Sequence, residues 1–162
     1  MRSAVFSILV ENSAGVLSRV AGLFSRRGYN IDSLTVGVTN DSKFSRMTVT
    51  ATGDDDVLEQ IEKQLSKLID VIDIKELPAA ESVSRELVLI KVMCDLKQRQ
   101  DIMAVCNIYR ANIIDVAEKS LIVEVTGSQS KIESFIKLLD NFTITELART
   151  GITGLARGSA DV

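Results

Sequence analysis

Histidine is absent from this 162-residue sequence. Its absence removes the commonest general base near neutral pH, the Ser-His and Cys-His nucleophile pairs, and most zinc or iron sites. An enzyme built from this chain would have to rest on carboxylates, lysines or a cofactor. Long apolar runs are missing too. The first, Val5 to Val10, is too short for a membrane span or a signal-peptide core and stops at Glu11, so a cytoplasmic protein that avoids membranes is expected. Basic residues are not concentrated anywhere: 19 Lys and Arg against 22 Asp and Glu are scattered along the chain at a net charge of −3, which argues against a nucleic-acid partner. Cysteine is scarce, and Cys94 and Cys106 lie in apolar-periodic segments without a C-x-x-C pattern, which reads as two reduced core residues.

What is present is hydrophobic patterning, 46% of the composition, enough for one ordinary domain or two small ones. Ala4 to Val10 reads as a strand, followed by a helix whose apolar face carries Val16, Leu17, Val20, Ala21 and Phe24 and which Gly28 can stop. Tyr29 to Val38 and Phe44 to Thr52 are β-branched strands of a hairpin. Asp54 to Asp56 can cap a second helix, striped by Val57, Leu58, Ile61, Leu65 and Leu68, and Val71 to Leu77 closes the unit as a strand. The order β-α-β-β-α-β predicts a ferredoxin-like α+β sandwich.

The second half repeats the order. Leu87 to Cys94 is a strand, Ile102, Val105, Cys106 and Tyr109 stripe a helix, Asn112 to Ala117 and Leu121 to Thr126 form a hairpin, and a helix over Ile132 to Leu139 leads into Phe142 to Leu147. Asn30-Ile31 answers Asn112-Ile113, Thr52-Gly53 answers Thr126-Gly127, and Glu76-Leu77 answers Glu146-Leu147. The predicted organisation is two consecutive ferredoxin-like domains: 1–77, a linker over 78–85 that holds the sole proline, Pro78, a second domain over 86–150, and a mobile tail over 151–162. The same element order builds RNA-recognition domains, but those stack bases on paired aromatics of the central strands, and FSRMTVTAT offers only Phe44 at its margin.

Chemistry concentrates at one junction, VENSAGVLSRV, where a strand meets Asn12, Ser13, Ala14 and Gly15 before the first helix. Three readings compete. Asn12 or Ser13 can cap the helix while Gly15 eases a turn. The same glycine can let an anion approach the free N–H groups of the first turn, where the helix dipole favours a carboxylate or phosphate. A catalytic Ser13 or Ser18 lacks any base nearby. Neither G-x-G-x-x-G nor G-x-x-x-x-G-K-[ST] occurs here, so a single carboxylate fits better than a polyphosphate. An α-amino acid would add an ammonium, for which Asn12 or Asn30 offers acceptors, and an apolar side chain that could rest on Ala14 and Val16. Asp54, Asp55 and Asp56 read as a helix cap rather than a metal site, and no metal is expected. Arg19, Arg26 and Arg27 fall mostly off the apolar face and default to solvent. Arg149 and Arg157 read either as solvated charge or as contacts to another subunit.

VENSAGVLSRVAGLFSRRGYNIDSLTVG, the following SRMTVTATGDDDVLEQIEKQLSKLIDV and the closing ELARTGITGLARG together resemble the small regulatory subunits of acetolactate synthase. The resemblance implies that the first domain is an ACT domain pairing with its twin in a homodimer and holding valine at the interface. By position, Asn12, Gly15, Val16, Leu17 and Ser18, with Ser13 and Ala14 between them, match the family's loop and helix start. Asn30 and Ile31 match the strand start that faces the same site from the other chain. It further implies activation and valine feedback of a catalytic large subunit in branched-chain amino acid biosynthesis, with no catalytic residues or cofactor in this chain. Thiamine diphosphate, FAD and magnesium would belong to that partner. A stand-alone amino-acid sensor or a metabolic enzyme on the same scaffold are the alternatives. The second domain's junction, CDLKQRQDI, lacks the glycine and is not expected to hold the same ligand.

Overall fold

A computed structural model describes residues 1–158. Its contacts divide the chain into two units, Met1–Ser84 with the segment from Ile152, and Arg85–Gly151.

The first unit runs β1 (Arg2–Glu11), α1 (Val16–Arg27), β2 (Ser33–Val38), β3 (Phe44–Gly53), α2 (Asp55–Ser66) and β4 (Val71–Glu76). Its antiparallel sheet has the order β2-β3-β1-β4. Alternation along the strands decides which face is dry. Ala4, Phe6, Ile8 and Val10 of β1 and Met47, Val49 and Ala51 of β3 are buried together with Val16, Val20, Leu23 and Phe24 of α1 and Leu58, Ile61 and Leu65 of α2. Leu17, expected on the apolar face of α1, is instead 45% exposed, because Val16, Val20, Leu23 and Phe24 fill the stripe without it. The opposite face of the sheet is polar, with Ser7 and Thr48 buried on it.

The second unit contains β5 (Ser82–Met93), α3 (Leu96–Tyr109), β6 (Asn112–Val116), β7 (Ser120–Gly127), α4 (Gln129–Leu139) and β8 (Thr143–Arg149), ordered β6-β7-β5-β8. Val88, Ile90, Val92, Leu121, Val123 and Val125 meet Ile102, Cys106, Ile132, Phe135 and Leu139 in its core. Cys94 and Cys106 are free and buried, and burial raises the Cys106 thiol above its usual pKa. Both units therefore have the predicted α+β, ferredoxin-like βαββαβ order.

Three boundaries differ from expectation. Tyr29 to Asp32 are not strand. Gly28, at φ +70°, terminates α1 and turns the chain, with the Tyr29 N–H donating to the Phe24 carbonyl, so β2 begins only at Ser33. The stretch 78–85 is not a bare linker: a 3₁₀ turn, Ala79–Glu81, follows Pro78, and β5 has already begun at Ser82. The predicted mobile tail contains a further strand, β9 (Thr153–Ala156), which pairs with β5, and residues 159–162 lie outside those described.

The polar sheet face of the first unit is what holds that final segment. Thr35 Oγ1 donates to the Ile152 carbonyl at 3.3 Å, the Gly154 N–H donates to Thr48 Oγ1 at 3.4 Å, and Ile152 itself is buried. Arg157 donates through Nε to the Ser82 carbonyl, and its N–H donates to the Glu81 carbonyl. A Cβ on Gly154 would stand 3.0 Å from Ser84 Oγ and 3.1 Å from the Val83 carbonyl oxygen. Gly154→Val is therefore expected to cost about 1–3 kcal/mol by overpacking, measurable as a fall in denaturation midpoint. An unchanged midpoint would mean that the segment does not pack there in solution.

Candidate functional site

Among the described residues, three of the four α-helices are closed at their N-termini by side chains. Asp54 accepts from the Val57 N–H, Asp95 and Gln98 form a capping box, and Ser128 accepts from the Lys131 N–H. At α1 the position is filled by Gly15 at φ +86°, with no side-chain cap. Among the described residues, the Val16 N–H reaches the Ser13 carbonyl only at 3.5 Å, and the N–H groups of Leu17 and Ser18 find no acceptor. The positive end of the helix is thus bare, as an anion site requires.

Asn12, expected to cap or to receive an ammonium, does not cap. Its Nδ2 donates to the Ser42 carbonyl at 3.0 Å, its Oδ1 accepts from Ser45 Oγ at 3.2 Å, and its N–H donates to the Lys43 carbonyl. It pins the loop to the β2–β3 hairpin. Ser13 does not cap either, its N–H turning back to the Glu11 carbonyl. Ser13, Ala14, Gly15 and Ser18 are exposed around the turn, whereas Val16 is 3% exposed and belongs to the core, so it has no surface to offer a ligand.

Beside Gly15 stands a charged pair. Arg19 Nε donates to Asp70 Oδ2 at 2.5 Å and Arg19 Nη2 to Asp70 Oδ1 at 3.1 Å, while a Cβ on Gly15 would lie 2.8 Å from Arg19 Nη1. The Asp70 side chain is 9% exposed and that of Arg19 is 49% exposed. The hydrogen bond from Arg19 holds the Asp70 carboxyl below its ordinary range, and the same bond raises Arg19. Arg19 was expected to be solvated. Its partner is 51 positions away in sequence, beyond what helical periodicity can reveal.

Because the folded pKa of Asp70 lies below its unfolded value, the pairing contributes fully above that unfolded value, about 3.9, and is lost as pH falls through the folded one. Asp70→Asn is expected to flatten the loss of stability below about pH 4 when melting is followed across an acid series. Parallel wild-type and variant curves would refute the linkage.

Asn30 and Ile31 lie elsewhere, in the loop between α1 and β2. Asn30 Nδ2 donates to Asp32 Oδ1 at 3.0 Å, Thr52 Oγ1 donates to Asp32 Oδ2 at 2.6 Å, and the Asp32 N–H donates to the Thr50 carbonyl. Asp32, which the sequence pattern did not single out, thus orients Asn30 and leaves its carbonyl oxygen available to a cation. Ile31 packs against the core. Thr50 and Thr52 pair with Val5 and Ser3 near the start of β1, whereas Asn12 follows its end. At ~3.3 Å per strand residue and ~1.5 Å per helical residue, the Asn30 loop and the Gly15 turn are on the order of 20 Å apart. One chain cannot bring both to a single amino acid.

Arg149 and Arg157 are both engaged within their own units. Arg149 pairs with Glu86 at 2.7 Å and with Glu133 at 2.9 Å, and Arg157 is held as described above. Asp54 caps α2 through the Val57 N–H, and Asp55 pairs with Arg2 at 2.8 Å. Among the described residues no three His, Cys, Asp or Glu side chains gather as a metal site would need, and no helix is long and apolar enough to cross a membrane.

Two family models match, one described as AHAS small subunit-like ACT domain over residues 6–73 and the other as small subunit of acetolactate synthase over 85–158. The probable acetolactate synthase small subunit of Methanothermobacter thermautotrophicus is 53% identical over 156 residues, covering 96% of this chain and 93% of that one. The chain belongs to the acetolactate synthase small-subunit family. Within that family, the isozyme 3 small subunit of Salmonella typhimurium is 46% identical over 155 residues, covering 95% of each chain. The crystal structure of the acetolactate synthase small subunit from Thermotoga maritima superposes with a TM-score of 0.91 at 42% identity, covering 99% of this chain and 100% of that one. The first unit is accordingly an ACT domain of the acetolactate synthase small-subunit type, and membership in the family supports a regulatory role.

Proposed function

We propose that this chain is a non-catalytic subunit that binds an acetolactate synthase catalytic subunit, raises its activity and withdraws that support when valine binds. The observation that carries the reading is the match to acetolactate synthase small subunits along nearly the whole chain. At the site, the bare first turn of α1 supports it: the N–H groups of Leu17 and Ser18 and the dipole of α1 suit a carboxylate. Asn30 and Asp32 suit an ammonium. Because the two halves are far apart in one chain, valine bridges the Gly15 turn of one copy and the Asn30 loop of a second. β2 is a sheet edge with Val36 45% and Val38 60% exposed, an apolar strand suited to meeting that second copy.

A ligand that bridges two copies senses their arrangement. If valine prefers one arrangement by about 1–3 kcal/mol, it shifts the complex toward that arrangement and control follows by linkage. Thiamine diphosphate, FAD and magnesium are assigned to the catalytic partner, and valine is the effector in preference to any nucleic-acid or membrane ligand. The deciding experiment mixes this chain with the catalytic subunit, measures acetolactate formation, and titrates valine. Activation by the chain followed by its loss as valine rises is expected; a rate indifferent to both would end the proposal. Asn30→Ala is expected to weaken valine binding by about 1 kcal/mol in calorimetry, since one polar contact is lost. Unchanged affinity would remove Asn30 from the site.

A further inference from the structure

The Arg19–Asp70 pair leaves part of the guanidinium uncommitted. Asp70 takes two of the guanidinium's nitrogens, Nε and Nη2, and among the described residues the third, Nη1, has no acceptor. That third nitrogen is the one lying over Gly15, 2.8 Å from where a Cβ would stand, at the mouth of the uncapped helix. Arg19 Nη1 thus covers the place that a side chain at position 15 would take, and a carboxylate seated on the first turn of α1 would approach alongside this cation.

The second unit carries the same residue type at the corresponding place. Arg99, like Arg19, is the fourth residue of its helix. There Asp95 closes the helix end, and Arg99 Nη2 donates to the carbonyls of Ala117 and Glu118, so no cation is presented at the end of α3. The repeat that keeps its helix end open is also the one whose arginine is turned toward it.

We propose that Arg19, aimed by Asp70, is a ligand-contacting and specificity-determining residue, its Nη1 donating to one oxygen of the bound amino acid's carboxylate while the α1 N–H groups hold the other. The inference rests on the reading of this site given under Proposed function. It makes the site selective for a free carboxylate, because an amide or ester would lose the charge-assisted bond.

The test titrates L-valine into the purified full chain by calorimetry. Arg19→Lys keeps a cation and is expected to hold affinity within about threefold of wild type, whereas the double variant Arg19→Gln/Asp70→Asn is expected to bind roughly tenfold more weakly, the scale of one lost charge-assisted hydrogen bond. The double variant leaves no unpaired carboxylate behind, so its melting temperature should fall only by what the lost pair contributed, separating loss of contact from loss of fold. Affinity in the double variant within about twofold of wild type overturns the role of Arg19 while leaving the site intact. If the wild-type chain binds no valine, the reading of the site falls and this inference falls with it.

Discussion

Gly15→Asp is expected to abolish valine control while activation of the catalytic partner survives. Gly15 sits at φ +86°, a region that aspartate enters more readily than most residues, so the turn can form. The new side chain would point at Arg19, whose Nη1 is 2.8 Å from the Cβ position, and would have to displace it slightly. The result is a carboxylate built into the chain where the carboxylate of valine is proposed to sit. It would offset the positive end of α1 and occupy the entrance, so valine binding should fall below detection in calorimetry. The change is confined to one turn and its Arg19 neighbour, so thermal stability should fall only modestly. Undiminished valine binding in the variant would show that the ligand lies elsewhere.

Phe135→Ala is expected to produce the largest loss of stability among the substitutions considered. Phe135 is fully buried at the centre of the second unit's core, with its ring centroid 5.2 Å from that of Tyr109. Truncation removes the ring and leaves a cavity that the strands behind it cannot fill without moving, a cost of about 3–5 kcal/mol. Against the roughly 5–15 kcal/mol that holds a domain together, this brings the second unit close to unfolding. Denaturant titration should show an early transition belonging to residues 85–151, with the transition of the first unit unshifted. A loss below about 1 kcal/mol would mean that the core repacks around the gap.

The fold was legible because most elements carry the period of their own structure. Ala4, Phe6, Ile8 and Val10 alternate as a strand should, Leu58, Ile61 and Leu65 recur as a helix stripe should, and all of them are core residues. Where periodicity is silent the reading slipped. Tyr29 and Ile31 are apolar enough to pass for strand, yet the glycine that ends α1 and the side chain of Asp32 hold them in a loop. Thr153 to Ala156 looked like a glycine-rich tail because its strand is too short to alternate visibly and its partners are far away in sequence. The junction at Gly15 was visible as a strand, a turn glycine and a helix. Arg19 was assigned to solvent, and Asp70 and Asp32 escaped notice, because each acts through a residue that only the folded chain brings alongside.

The return of β9 to the first unit makes that unit discontinuous in the gene. A ribosome finishing β4 has made a sheet whose Thr35 and Thr48 still face water, and it must synthesise the whole of the next domain before Ile152 and Gly154 arrive to cover them. At about 5–20 residues per second, the nascent first unit therefore spends several seconds in an incomplete form.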